Sequence, residues 1–133
     1  MIAGPAPAVI AVLMETGYPG AVALLVGVVD GSTSLYLSNG GGVFRAGEHA
    51  HVADATGHWL RACGEELARL APVAEPLPPE VGVTQFVAVT PGGLLAATAP
   101  EAELGAGQHV LSPLFYAGQA VLTQIRLLDE QRS

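Results

Sequence analysis

The stretch AVALLVGVVDGSTSLYLS, residues 21–38, decides the fold. Its first part, Ala21–Val29, is rich in Val and Leu without polar alternation, which is typical of a strand buried on both faces. Asp30-Gly31 follows as a two-residue turn signal, because both positions of a type I′ turn need positive φ. Ser32–Ser38 then alternates as a return strand. These residues predict a β-hairpin.

A second hairpin is predicted further along the chain. Val83–Thr90 alternates as a strand, Pro91-Gly92 forms a turn, and Gly93–Ala99 returns. The chain therefore uses a hairpin followed by a helix twice.

A long amphipathic helix is predicted over Gly47–Leu70, where the apolar period changes to 3.6 residues. Charged and polar side chains occupy the opposite side. The inward stripe consists of Val52, Thr56, Trp59, Cys63, Leu67 and Leu70.

A short first helix is predicted over Ala8–Thr16. Val9, Val12 and Thr16 stand at helical spacing there, and Gly17 follows as a stop.

Three further segments complete the plan. Residues 71–80 form a Pro-rich extended connector, since proline is incompatible with a continuing helix. Glu101–Val110 is interpreted as a Gly-rich loop. Ser112 supplies an N-cap and Pro113 a first-turn proline for a last helix through Leu128. We expect a single α/β domain of the α+β type, residues 1–133, with a central antiparallel sheet of about four strands flanked by two or three helices.

Composition limits the function. The chain has 133 residues, 50% of them apolar, one cysteine and a net charge of −7. A chain of this size can bury a core without disulfides or metals, so stability demands no cofactor. Disordered, collagen-like and disulfide-scaffold classes are excluded. Nucleic acid and anionic membranes are disfavoured as partners, because the chain has five arginines, no lysine and no basic cluster.

The N-terminus lacks the features of a signal peptide. The first positive side chain is Arg45, and the apolar run Ala8–Met14 is too short to span a bilayer. With a single unpaired cysteine, Cys63, we expect a cytoplasmic protein. The absence of lysine beside many Ala, Gly and Pro residues is typical of a GC-rich bacterial genome.

His51, Asp54 and His58 form a candidate metal site. They stand at i, i+3 and i+7 of the long helix, and imidazole and carboxylate groups suit zinc. However, two helical turns separate the first from the last by about 10 Å. The alternative is a solvated face with an Asp54–His58 contact.

Gly40-Gly41-Gly42 forms a candidate ligand loop, because bare backbone amides can approach a phosphate. A Walker A motif needs lysine, which the chain lacks. The alternative is a flexible bend.

Nucleophilic catalysis has no supporting motif. Cys63 lies on the apolar stripe of the helix, where cysteine behaves as a small inert hydrophobe. No Gly-x-Ser-x-Gly sequence marks a serine. We therefore predict no catalytic residue and no cofactor; the available hydroxyls are Ser32, Thr33, Ser34 and Ser38.

The element order resembles the Roadblock/LC7 family, which is related to longin and profilin-like folds. The resemblance rests on the strand Ala21–Val29, the Asp30-Gly31 turn, the helix Gly47–Leu70 and the closing hairpin plus helix. It implies a small α/β protein that forms dimers and acts without catalysis, as a scaffold or as a regulator of small Ras-like GTPases. No functional residue is transferred from the family.

The chain has more apolar surface than a monomer needs. Charged residues make up 13% of it, against about 25% in typical domains, and seven of them fall within Arg45–Arg69. Open sheet edges without lysine also invite pairing. We expect a homodimer or a small obligate complex joined by a continuous sheet or by a packed pair of helices, acting as a non-catalytic adaptor. The alternative is a small-molecule or metal-binding protein, or a weak hydrolase, that uses the His51/Asp54/His58 face or the Gly40–Gly42 loop.

Overall fold

Seven strands and three helices make up the described part of the chain, residues 9–40, 43–46 and 48–132 of a computed structural model. The strands form one antiparallel sheet and the helices flank it, which confirms the predicted α+β class. The strands are β1 (Ala11–Tyr18), β2 (Ala21–Val28), β3 (Thr33–Leu37), β4 (Val43–Arg45), β5 (Ala71–Val73), β6 (Val83–Thr90) and β7 (Gly93–Pro100). The helices are α1 (Ala50–Glu65), α2 (Glu101–Gly105) and α3 (Ser112–Arg132).

The sheet order is β4-β3-β2-β1-β6-β7-β5. The central strand β1 pairs with β2 from Ala11↔Val28 to Tyr18↔Ala21, and with β6 on its other side. The sheet therefore joins the two predicted hairpins through a strand that precedes both of them.

The predicted helix Ala8–Thr16 is wrong, because this segment contributes to strand β1. Val12, Met14 and Thr16 are buried on one side, and their alternation fits a strand as well as their spacing fits a short helix. Pairing with β2 from Ala11 to Tyr18 and with β6 from Ala11 to Thr16 satisfies the backbone groups along most of β1 and overrides the local helical preference. Residues 1–8 lie outside the described part.

Both hairpins are confirmed, but the first turn is not type I′. Gly31 has φ of 94°, whereas Asp30 has no positive φ. The amide of Gly31 donates to the Val28 carbonyl, and the amide of Val28 donates to the Ser32 carbonyl. The loop therefore contains three residues, with glycine at the left-handed position.

The predicted helix Gly47–Leu70 is too long at both ends. Helix α1 ends at Glu65, and a separate 3₁₀ turn covers Leu67–Arg69. Two adjacent carboxylates, Glu65 and Glu66, stand at the helix C-terminus, where the helix dipole disfavours negative charge. Within α1, the predicted inward residues are confirmed as buried: Val52, Thr56, Trp59 and Cys63.

The strand count of about four is wrong, since two short strands complete the sheet in addition to β1. Ala71–Val73, assigned to the connector, pairs with β7 as one edge strand. Val43–Arg45 pairs with β3 as the other. Each is three residues long, a length that sequence periodicity cannot detect.

The predicted loop Glu101–Val110 begins with helix α2, and the N-cap role of Ser112 is wrong. The Ser112 hydroxyl donates to the Leu104 carbonyl at 2.9 Å and accepts from the His109 amide at 3.3 Å. The His109 Nδ1 atom accepts from the Leu111 amide at 3.0 Å. The Ser112 side chain thus ties α2 to the start of α3, and the His109 side chain holds the turn between them.

The core lies between one face of the sheet and the helices α1 and α3. Its centre is Trp59, which is fully buried. Gly27 and Gly118 let backbone approach this indole, because a Cβ atom at either position would lie 3.0–3.2 Å from its ring. Within the described part of the chain, no helix is long and apolar enough to cross a membrane.

Candidate functional site

The two faces of the sheet have different surroundings. Side chains such as Val12, Leu25 and Phe86 belong to the core cluster under the helices. Their strand neighbours point away from the helices, because successive side chains of a strand alternate between faces. We call this second side the open face. Val87 belongs to it: this residue is 2% exposed but is not part of the core cluster.

The connector between β5 and β6 covers one end of the open face. The Gln85 side chain donates to the Leu77 carbonyl at 2.9 Å. The Gly82 amide donates to the Gly17 carbonyl at 2.9 Å. A Cβ atom at Gly17 would lie 2.3 Å from the Glu80 carbonyl oxygen, so only glycine allows this approach.

The other end of the open face carries two cross-strand rows of apolar side chains, which we call the bare patch. The helices pack on the opposite face, where the core cluster lies. The rows are Val26–Leu13–Val87–Ala96 and Val28–Ala11–Val89–Leu94–Val73.

The bare patch is large enough to be functional. The patch spans five strands about 4.8 Å apart and two rows that each extend about 7 Å along the strands. Its flat outline is therefore roughly 350 Å². The largest apolar patch on a typical monomer is of this order, about 300–600 Å², and is often functional. Partial burial of Val26 and Val28 shows that neighbouring side chains already shield one another.

The sheet edges are poorly suited to continue the sheet into another chain. Both edge strands have three residues, and β5 contains Pro72, which has no amide to donate. Short edges and edge prolines are devices that prevent strand pairing. The open face, rather than an edge, is therefore the better candidate for contact.

The three residues of the predicted metal site do not converge. His51 lines a cleft with His49 and Gln124, between the start of α1 and the end of α3. His58 accepts at Nδ1 from the Arg61 guanidinium at 2.7 Å, instead of contacting Asp54. Among the described residues, no three His, Cys, Asp or Glu side chains are grouped as metal ligands.

The predicted Gly40–Gly42 loop is described only at Gly40, which has φ of 82°. Gly41 and Gly42 lie outside the described residues. A shallow cleft of about 650 Å³ beside the first hairpin is lined by Asp30, Glu48 and hydroxyl groups. Two carboxylates would repel a phosphate from this cleft.

The candidate nucleophiles occupy structural positions. Burial raises the pKa of the Cys63 thiol to about 12, so the reactive thiolate is not formed near neutral pH. The Thr33 hydroxyl bonds the Thr56 hydroxyl at 2.7 Å, and the Ser38 hydroxyl accepts from the Val22 amide at 2.7 Å. None of these bonds links a hydroxyl to a histidine.

The bare patch was missed by sequence reasoning. With residues 8–16 interpreted as a helix, Leu13 could not be placed beside Val26 and Val87. The available signal was the continuous apolar run of β2, which has apolar residues on both faces although only one face meets helices.

The chain matches no protein-family model, and no curated protein or solved structure is significantly similar to it. The likeness to Roadblock/LC7 proteins therefore remains a resemblance in element order.

Proposed function

We propose that the protein is a non-catalytic adaptor module that self-associates, with the bare patch of one copy packing against the same patch of a second copy. The observation that carries the proposal is the pair of uninterrupted apolar rows on a sheet face that no described helix covers.

Charge favours the bare patch over other surfaces as the place where two copies meet. Each copy carries a net charge of −7, so two copies repel one another over most of their surfaces. The nine patch residues are all uncharged. By contrast, the exposed side of α1 carries Asp54, Arg61 and Glu65, whose desolvation would oppose burial.

The size of the patch limits the expected strength of the self-association. Two flat outlines together cover roughly 700 Å², below the roughly 1,200 Å² typical of stable complexes. We therefore expect a reversible dimer. A two-fold axis through the patch makes the contact self-complementary, so it closes at two copies.

The adaptor role and the compartment rest on other grounds. The resemblance to Roadblock/LC7 proteins makes a small GTPase-like protein the first partner to test. A cytoplasmic location is proposed because Cys63 is a free, buried thiol, as expected in a reducing compartment.

Sedimentation equilibrium over a dilution series tests the self-association. The wild type should show a monomer–dimer equilibrium, and Val26→Glu should be monomeric, because it would bury a carboxylate without a partner. Val110→Glu is the matched control: it adds the same charge at an exposed site outside the patch and should dimerise like the wild type.

A monomeric wild type at every concentration would refute the proposal. Dimerisation of Val26→Glu with wild-type affinity would refute the assigned surface.

A further inference from the structure

A small cleft lies at the connector end of the open face, beside the bare patch. It has a volume of about 260 Å³ and lies between Pro78 of the connector and the strands β1, β2 and β3. Val22, Leu24 and Tyr36 provide apolar walls, and Glu15 contributes the one carboxylate. Leu24 is the cross-strand neighbour of both Glu15 and Tyr36, so the three side chains stand in one row.

The carboxylate of Glu15 is half-buried and forms no ion pair with the described residues. Its Oε1 atom accepts from the Gln85 amide group at 3.2 Å. Gln85 also donates to the Leu77 carbonyl, which occupies its second amide hydrogen. Arg69 and Glu66 form an ion pair on the helix side of the molecule.

This arrangement is complementary to a cation on an aliphatic stem. A four-carbon stem can lie along the walls formed by Val22 and Leu24 while its charged end reaches Glu15. The ring of Tyr36, 37% exposed, can contact the same cation through its face. A half-buried carboxylate gains more from such a partner than an exposed one does, because water screens it less.

We propose that the Glu15 cleft binds a lysine side chain presented by a different, basic protein. The chain has no lysine, so a second copy cannot supply an ammonium group. The net charge of −7 also attracts a basic partner.

The proposal for the cleft does not depend on the self-association proposed above. It lies in the row next to the bare patch, at the rim of the proposed dimer contact. Titrations of the wild type at concentrations below those at which it self-associates therefore test the cleft alone.

The test is an amide NMR titration with two short peptides that differ in one charge. Acetyl-Gly-Lys-Gly-amide and acetyl-Gly-norleucine-Gly-amide share the four-carbon stem, and only the first carries an ammonium group. The lysine peptide should produce saturable shifts at Leu24, Tyr36 and Ser38. It should bind about tenfold more tightly than the norleucine peptide, as expected for a charge-assisted hydrogen bond.

Glu15→Gln should remove the difference between the two peptides. Glu103→Gln, which removes the same charge from an exposed site on α2, should retain it. Amide signals away from residue 15 that match those of the wild type would show that Glu15→Gln is folded.

Three results would overturn the proposal: no saturable shifts with the lysine peptide, equal affinity for the two peptides, or unchanged lysine binding by Glu15→Gln. Binding of butylammonium as tight as that of the lysine peptide would overturn the assignment to a protein side chain.

Discussion

The two faces of the sheet carry equally apolar side chains but have different surroundings. Under α1 and α3, residues such as Val12, Leu25 and Phe86 are at most 1% exposed. On the open face, Val26, Val28 and Leu94 are only partly buried, although Val87 between them is 2% exposed. An apolar face with a covering layer stabilises the monomer, and one without a layer is free to stabilise a complex. This difference distinguishes the side chains that stabilise the folded monomer from those that are available to stabilise a complex.

The largest expected effect is on the covered face. Trp59→Ala should lower the free energy of unfolding by about 3–5 kcal/mol, because it leaves a cavity among fully buried side chains. Tyr36→Ala, on the open face, should cost about 1 kcal/mol or less. Urea denaturation of both variants checks the contrast, and equal losses would remove the distinction between the faces.

A second prediction concerns the packing of α1 on β2. Gly27→Ala should destabilise by about 1–3 kcal/mol, because its Cβ atom would lie 2.9 Å from Thr56 and 3.0 Å from the Trp59 ring. Gly64→Ala is the matched control. No atom lies within 4 Å of a Cβ there, and alanine favours a helix by up to about 1 kcal/mol. Thermal melts compare the two, and tolerance of Gly27→Ala would contradict the close helix–sheet contact.

A third prediction concerns polar groups under the helices. Thr16 and Thr84 share a buried hydroxyl–hydroxyl bond of 2.8 Å between β1 and β6. Thr16→Val should cost about 1–3 kcal/mol, since it leaves the Thr84 hydroxyl without its partner. The double variant Thr16→Val/Thr84→Val should cost less than the sum of the single changes. Additive losses in a double-mutant cycle would show that the bond contributes nothing.

The smallest effect is confined to alkaline pH. Burial raises the pKa of the Cys63 thiol from 9.0 to about 12, so the folded state keeps the proton that the unfolded state loses. The stabilising contribution is complete below about pH 9 and is lost as pH rises towards about 12. The stability difference between wild type and Cys63→Ala should therefore be constant near neutral pH and change above pH 9. A change between pH 6 and 8 would mean that the thiol is not shielded by the helices.

Much of the fold follows from the sequence where a pattern is long. The stripe from Val52 to Cys63 repeats over about three turns, and Val83–Thr90 alternates over a full strand; both are confirmed. The segment 8–16 was assigned to a helix because nine residues satisfy either period, and only its pairing with β2 and β6 decides between them. The three-residue strands β4 and β5 depend entirely on their neighbours.

The site was less predictable than the fold. Excess apolar surface is visible in the composition, but its location depends on which strand is central and which face the helices cover. His51, Asp54 and His58 share a helix face in sequence, yet His51 contributes to a cleft with α3 whereas His58 pairs with Arg61. Sequence spacing places side chains on a face and does not make them converge.

The most direct test of the central claim is a methyl NMR dilution series on the wild type. If the bare patch joins two copies, the methyl signals of Leu13, Val26, Val28 and Leu94 should shift with concentration. Those of Leu114, Val121 and Ile125, buried on the core side of α3, should stay unchanged. Concentration-independent signals throughout, or shifts confined to the exposed helix residue Leu127, would contradict self-association through the open face of the sheet.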